Sequence, residues 1–154
     1  MNDKSDTSRS ASQVSRRDFL KAGAAATVLA ASGNYAFAQA SDEIRIGLIG
    51  CGGRGSGAAR DAINGSQNVK IVALGDVFQD RLEGCFSGLL KTAEESAELK
   101  AKIGVTKEKC FVGFDAYKKV IASGVDMVIL ATPPGFRPTH LQAAINAGKH
   151  VFME

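Results

Sequence analysis

The chain has 154 residues, enough for one well-buried core and, at usual domain sizes, a single domain. Hydrophobic residues make up 45% and charged residues 23%, and a formal net charge of +3 without any Lys/Arg block argues against a nucleic-acid partner. Cys51, Cys85 and Cys110 are scattered with no CxxC pair, and His140 and His150 do not stand at ligand spacing, so a zinc site is not expected. The thiols read most simply as small buried hydrophobes; a disulfide between two of them stays open outside the cytoplasm, with no pair favoured.

In chain order, residues 1–40 read as an address to be set aside before any fold is considered. A polar start leads to Ser15-Arg16-Arg17-Asp18-Phe19-Leu20-Lys21, followed by an Ala-rich apolar run from Ala22 to Ala31. Ala36 and Ala38 offer an A-x-A cleavage site, with Ala38 and Ala40 as a second choice. The run is well short of the ~20 residues that span a bilayer. Ser-Arg-Arg-x-Phe-Leu-Lys resembles a twin-arginine signal at every defined position, which implies the twin-arginine translocation machinery as a partner and a periplasmic or extracytoplasmic destination. That route carries proteins already folded. With the address removed, acidic and basic residues nearly balance.

The remainder, residues 41–154, alternates strands and helices. Ile44–Ile49 is a β-branched apolar run typical of a strand buried on both faces. The glycine loop Gly50 to Gly55 ends it, and a helix is predicted over Ser56–Asn64 with Gly65 as C-cap. Val69–Leu74 forms the second strand, closed by Gly75-Asp76. A long helical stretch follows over Gln79–Lys102, with Leu82, Phe86, Leu89, Leu90, Ala93 and Ala97 on one side. Gly84 and Gly88 weaken its first part, so two pieces are allowed. Cys110–Val112 is a brief third strand, and Asp115 is the expected N-cap of a helix through Ala122. Met127–Ala131 is the fourth strand, Thr139–Ala147 a helix, and His150–Met153 the fifth strand. The order predicts an α/β fold, a Rossmann-type doubly wound parallel sheet.

Gly50-Cys51-Gly52-Gly53-Arg54-Gly55 fits G-x-G-x-x-G, directly after a predicted strand and opening a predicted helix. Gly50 permits the tight turn, Gly52 lets backbone approach a pyrophosphate, and Gly55 lets the helix pack on the strand. The helix N-terminus then points free N–H groups at the phosphates. An acid is expected at the end of the second strand, and Asp76 stands there. Its carboxylate suits the adenosine ribose hydroxyls and repels a 2′-phosphate, which favours NAD, although nearby Arg81 leaves NADP possible. Arg54 is placed to meet the phosphates or the adenine.

Three stretches carry a resemblance to the Gfo/Idh/MocA family of sugar and polyol oxidoreductases: Ile46 through Gly55, Val125 through Pro134, and Ala147-Gly148-Lys149-His150-Val151-Phe152-Met153-Glu154. The last is the most specific, since the family reads A-G-K-H-V-x-x-E-K-P there. The resemblance implies that Ala131, Thr132 and Pro133 line the nicotinamide side of the nucleotide pocket, with Gly53 in the phosphate loop, and that Glu154 lies near the nicotinamide ribose. It also implies a catalytic lysine after this glutamate and a C-terminal α/β substrate domain, so this chain is expected to stop short of both and to be inactive alone. Many members carry a His where this chain has Arg137; no ligand role passes to Arg137 or His140, and His140 is expected to serve the helix start. His150 is expected to be packed or hydrogen-bonded at the sheet end.

Three functions fit. The full-length protein is an exported NAD(P)-dependent oxidoreductase that moves a hydride to or from a sugar or polyol, as a homo-oligomer. Alternatively it is an NAD-dependent glycoside hydrolase of the same family, or a stand-alone nucleotide-binding module.

Overall fold

The computed structural model describes residues 43–154. The address read from residues 1–40, with its cleavage sites, lies outside the described residues.

Five strands form one sheet: β1 (Ile44–Ile49), β2 (Val69–Asp76), β3 (Cys110–Val112), β4 (Met127–Leu130) and β5 (His150–Met153). Their spatial order is β3-β2-β1-β4-β5 and every pairing is parallel. The order reverses between β2-β1 and β1-β4, so β1 is central and its C-terminal end sits at the crevice where open α/β sheets bind ligands.

Helix α1 (Gly53–Gly65) follows β1, α2 (Gln79–Glu95) and α3 (Ala97–Ala101) follow β2, α4 (Ala116–Ala122) follows β3, and α5 (Arg137–Asn146) follows β4. Two apolar clusters cover the two sheet faces. Ile46 and Leu48 of β1 pack with Ala58, Ala59 and Ile63 of α1 and Leu82, Cys85 and Leu89 of α2. Ile49 packs with Val120 and Ile121 of α4 and Ala144 of α5. The alternation along β1 sends successive side chains into opposite layers, which is why the strand reads as a continuous apolar run.

Several boundaries differ from the sequence reading for local reasons. Helix α1 starts at Gly53, so the last three glycine-loop residues already form its first turn, and its C-cap is the extended Ser66 rather than Gly65. The stretch after β2 does break, but at Ser96 and not at Gly84 or Gly88: Ser96 Oγ accepts the Leu99 amide at 3.1 Å and caps α3. The apolar stripe of α2 is rotated, with Cys85 and Thr92 buried while Leu90 is 43% exposed. Asp115 stands at the N-cap of α4 without a capping bond and pairs with Lys118 at 2.9 Å instead. The His150 side chain is exposed, and it is the backbone amide that binds the Asp126 carbonyl at 3.1 Å.

The short β3 covers only the C-terminal part of β2. Upstream, Ile71 bonds to Lys102 and Gly104 in a strand-like bridge, which occupies the backbone groups β3 leaves open. Among the described residues no helix is long and apolar enough to cross a membrane, and no group of three or more His, Cys, Asp or Glu could hold a metal.

Candidate nucleotide site at the strand tips

A cavity of about 470 Å³ opens at the C-terminal ends of β1, β2 and β4. Gly50, Gly52, Gly53, Arg54, Asp76, Ala131, Thr132 and Pro133 all line it. Two other expected site residues do not. Gly55 lies buried behind the loop, and Glu154 reaches the site through Arg54, whose guanidinium it contacts at 2.6 Å.

The three motif glycines have separable reasons. Gly50 has φ of 99°, a conformation that side chains rarely adopt, and its amide bonds to the Gly75 carbonyl at 2.8 Å. A Cβ on Gly55 would overlap the Gly50 carbonyl oxygen, so helix α1 can approach β1 this closely only with hydrogen there. A Cβ on Gly52 would have only Arg81 Nη1 nearby, at 3.5 Å, so the surface above Gly52 is open on the cavity side. Helix α1 has no side-chain N-cap bond and no acid in its first turn. Its first amides and positive dipole end are therefore free for an anion, the arrangement a pyrophosphate requires.

Asp76 is 8% exposed, and both its oxygens are engaged. Oδ2 accepts the Cys51 amide at 2.6 Å and Oδ1 accepts the Phe78 amide at 2.9 Å. Each carboxylate oxygen retains a further lone pair, so these bonds leave acceptor capacity for ribose hydroxyls. The same side chain thus fixes the glycine loop against β2, a role the sequence reading did not contain.

Opposite the loop, Thr132 Oγ1 meets His140 Nδ1 at 3.2 Å, and the Tyr117 ring stacks on His140 with centroids 4.3 Å apart. Burial holds the His140 pKa below its usual value, which favours the neutral ring. Arg137 Nε donates to the Thr132 carbonyl at 2.7 Å. Both Arg137 and His140 line the cavity, although the sequence reading gave His140 only a place at the helix start. Phe78, Phe114, Tyr117 and Phe136 line it too and were missed. Phe78, Phe114 and Phe136 each follow a strand end on the ligand-binding edge of a doubly wound sheet, and that placement is the signal that could have found them.

The sheet order, the glycine cradle and the acid at the end of β2 together define a dinucleotide-binding α/β domain. Residues 44–154 match the family described as "Oxidoreductase family, NAD-binding Rossmann fold", Gfo/Idh/MocA, and the chain belongs to that family. Residues 13–33 match the twin-arginine translocation signal, which directs the protein by that route to the periplasm or extracytoplasmic space. Among curated proteins the chain is similar to inositol 2-dehydrogenase 4 of Saccharopolyspora erythraea, at 33% identity over 73% of this chain and 28% of that protein. It is also similar to a glycosyl hydrolase family 109 protein of Shewanella amazonensis, at 29% identity over 92% of this chain and 33% of that protein. Among solved structures it is similar to scyllo-inositol dehydrogenase from Lactobacillus casei with bound NAD(H) and scyllo-inositol, at 26% identity and a TM-score of 0.52, covering 72% of this chain and 27% of that one. The chain therefore spans about a third or less of the relatives it matches.

Proposed function

We propose that the full-length protein is an NAD(P)-dependent oxidoreductase that transfers a hydride between the nicotinamide and a carbon of a sugar or polyol outside the cytoplasm. In this reading residues 1–40 are the signal and linker, residues 41–154 are the nucleotide-binding domain, and the working protein is a homo-oligomer. The carrying observation is the open surface above Gly52, at the uncapped start of α1 and beside the Asp76 carboxylate. The amides of Gly52, Gly53 and Arg54 face the diphosphate, Gly55 lets α1 pack closely behind them, and Asp76 takes the adenosine ribose. Ala131, Thr132 and Pro133 carry the nicotinamide half, with Glu154 at its ribose. The nicotinamide supplies the hydride when bound; the protein orients it and excludes water. The inositol dehydrogenases among its relatives support a polyol substrate.

A second reading has a specific observation behind it. Similarity to the family 109 glycosyl hydrolases covers 90–92% of this chain, against 73% for the inositol dehydrogenase. In that case NAD would serve a transient oxidation during glycoside cleavage. A stand-alone nucleotide-binding module has no such support. Calorimetry of the full-length protein with NAD and NADP tests the cofactor site, with saturable binding expected and NAD preferred. Absence of binding by either would remove both enzyme readings. Product analysis on inositols and aryl glycosides then separates them, since only the first produces net NADH with a polyol.

A further inference from the structure

The chain just past β4 is held from outside its own strand. Thr132 follows the end of β4 closely, and the turn behind it begins with Pro133 and Pro134, which bring no amide hydrogen to that turn. The carbonyl and the hydroxyl of Thr132 are engaged instead by two side chains of α5. Arg137 Nε donates to the carbonyl at 2.7 Å, and His140 Nδ1 shares a hydrogen bond with Thr132 Oγ1 at 3.2 Å. Among the described residues His140 is the only hydrogen-bond partner of that hydroxyl. The His140 ring is itself fixed, being 8% exposed and stacked on Tyr117 of α4 with centroids 4.3 Å apart and planes 28° apart. Phe136 lies 6.2 Å from it and 20° from parallel. Position and plane of the imidazole are therefore set by packing before any ligand arrives.

We propose that His140 is a positioning residue for the dinucleotide, holding the Thr132 hydroxyl in one orientation toward the nicotinamide half while Arg137 fixes the carbonyl of the same residue. The inference rests on the dinucleotide reading of the cavity, in which Thr132 carries that half of the cofactor. A threonine side chain has three staggered rotamers and a hydroxyl that rotates, so without a partner its oxygen and proton point in several directions. Tied to Nδ1 it keeps one of them. The hydroxyl has one proton and two lone pairs, so a single bond to the ring leaves it further capacity in the cavity that both residues line. A group oriented in advance does not have to be ordered when the ligand binds, and affinity rises accordingly. His140 acts through Thr132 and needs no contact with the reacting atoms.

Calorimetry on the full-length protein with NAD and with ADP tests this. ADP carries the adenosine and the diphosphate but lacks the nicotinamide riboside, so it does not call on Thr132. His140→Leu is expected to weaken NAD by about 10-fold, the order that one hydrogen-bonding group supplies, with ADP unchanged within about twofold. In His140→Asn the side-chain amide branches at the same carbon as Nδ1 and can bond Thr132, so NAD should stay within about threefold of wild type. Thr132→Val, close in shape, should lose as much as His140→Leu, and the double variant no more than either alone. Circular dichroism checks that each variant is folded; if His140→Leu is not, Thr132→Val beside His140→Asn carries the same comparison. Equal weakening of NAD and ADP, or an Asn variant as damaged as the Leu variant, marks the ring as structural and overturns the proposal. Losses that multiply in the double variant, or full NAD affinity in Thr132→Val, overturn it too. A wild-type protein that binds neither ligand removes the dinucleotide reading itself, whereas normal wild-type binding untouched by these changes sinks the role of His140 alone.

Discussion

The two ends of the sheet handle charge in opposite ways. At the N-terminal ends of the strands, Arg45 makes a two-point contact with Asp126 at 2.9 and 3.0 Å, and Lys70 faces Glu43 at 3.5 Å. At the C-terminal ends Arg54, Arg81 and Arg137 converge on one cavity, where Asp76 is the only acid among the described lining residues. Among the described residues, neither Arg81 nor Arg137 forms an ion pair there. One end pairs its charges internally; the other pairs Arg54 with Glu154 but leaves Arg81 and Arg137 without an ion pair beside the uncapped start of α1. Position relative to the strand direction, more than residue type, separates Arg45, held in an ion pair, from the arginines that line the cavity.

The sharpest way to break this contrast is at the glycines. Gly55→Val should prevent folding, because the new side chain overlaps backbone that cannot move without displacing α1. Gly52→Val should leave the circular dichroism spectrum unchanged while weakening NAD by about 100-fold or more, roughly 2.7 kcal/mol in calorimetry. Retained affinity would mean that the loop is only a turn.

Asp76→Ala should come next. It leaves the buried Cys51 amide without its acceptor, at a cost of about 1–3 kcal/mol in urea unfolding. It should also weaken NAD more than NADP, and equal losses for the two would argue against a ribose contact.

A smaller effect is expected at His140. Burial depresses its folded-state pKa, so the unfolded chain takes up the proton first as pH falls. Its contribution is therefore complete above the ordinary histidine pKa of about 6.5 and declines below it. In His140→Gln the difference between urea midpoints at about pH 7.5 and pH 5.5 should shrink; an unchanged difference would place the titration elsewhere.

Asp126→Asn, at the opposite end, should matter least. Arg45 holds the Asp126 carboxyl down at about 2, so its contribution is present above the ordinary Asp pKa of about 3.9 and is lost as pH falls toward 2. Its side chain is 41% exposed and solvent screens the pair, so Tm should fall by no more than about 3 °C and NAD binding should not change. A large loss of binding would erase the distinction between the two ends.

Local pattern made much of the fold legible. Ile44–Ile49, Val69–Leu74 and Met127–Ala131 match β1, β2 and β4 closely because strands buried on both faces need uninterrupted apolar sequence, and such runs stand out, while His150–Met153 matches β5, a largely exposed edge strand. Helix ends were less legible. The start of α1 at Gly53 is set by the close approach of α1 to β1, and the break at Ser96 depends on one hydroxyl finding the Leu99 amide. The Arg137 and His140 contacts with Thr132 were invisible because they join a strand tip to the following helix across the Thr132-Pro133-Pro134-Gly135 turn, whose course spacing alone does not give.

The order of strands and helices, the glycine loop, the acid after β2 and the export signal all follow from the sequence, since each depends on residues close together along the chain or on a fixed motif. Tertiary structure alone decided that Asp76 clamps the Cys51 amide and that three arginines share one cavity. Those contacts join segments far apart in the chain, and only the parallel packing of the strands brings them within reach.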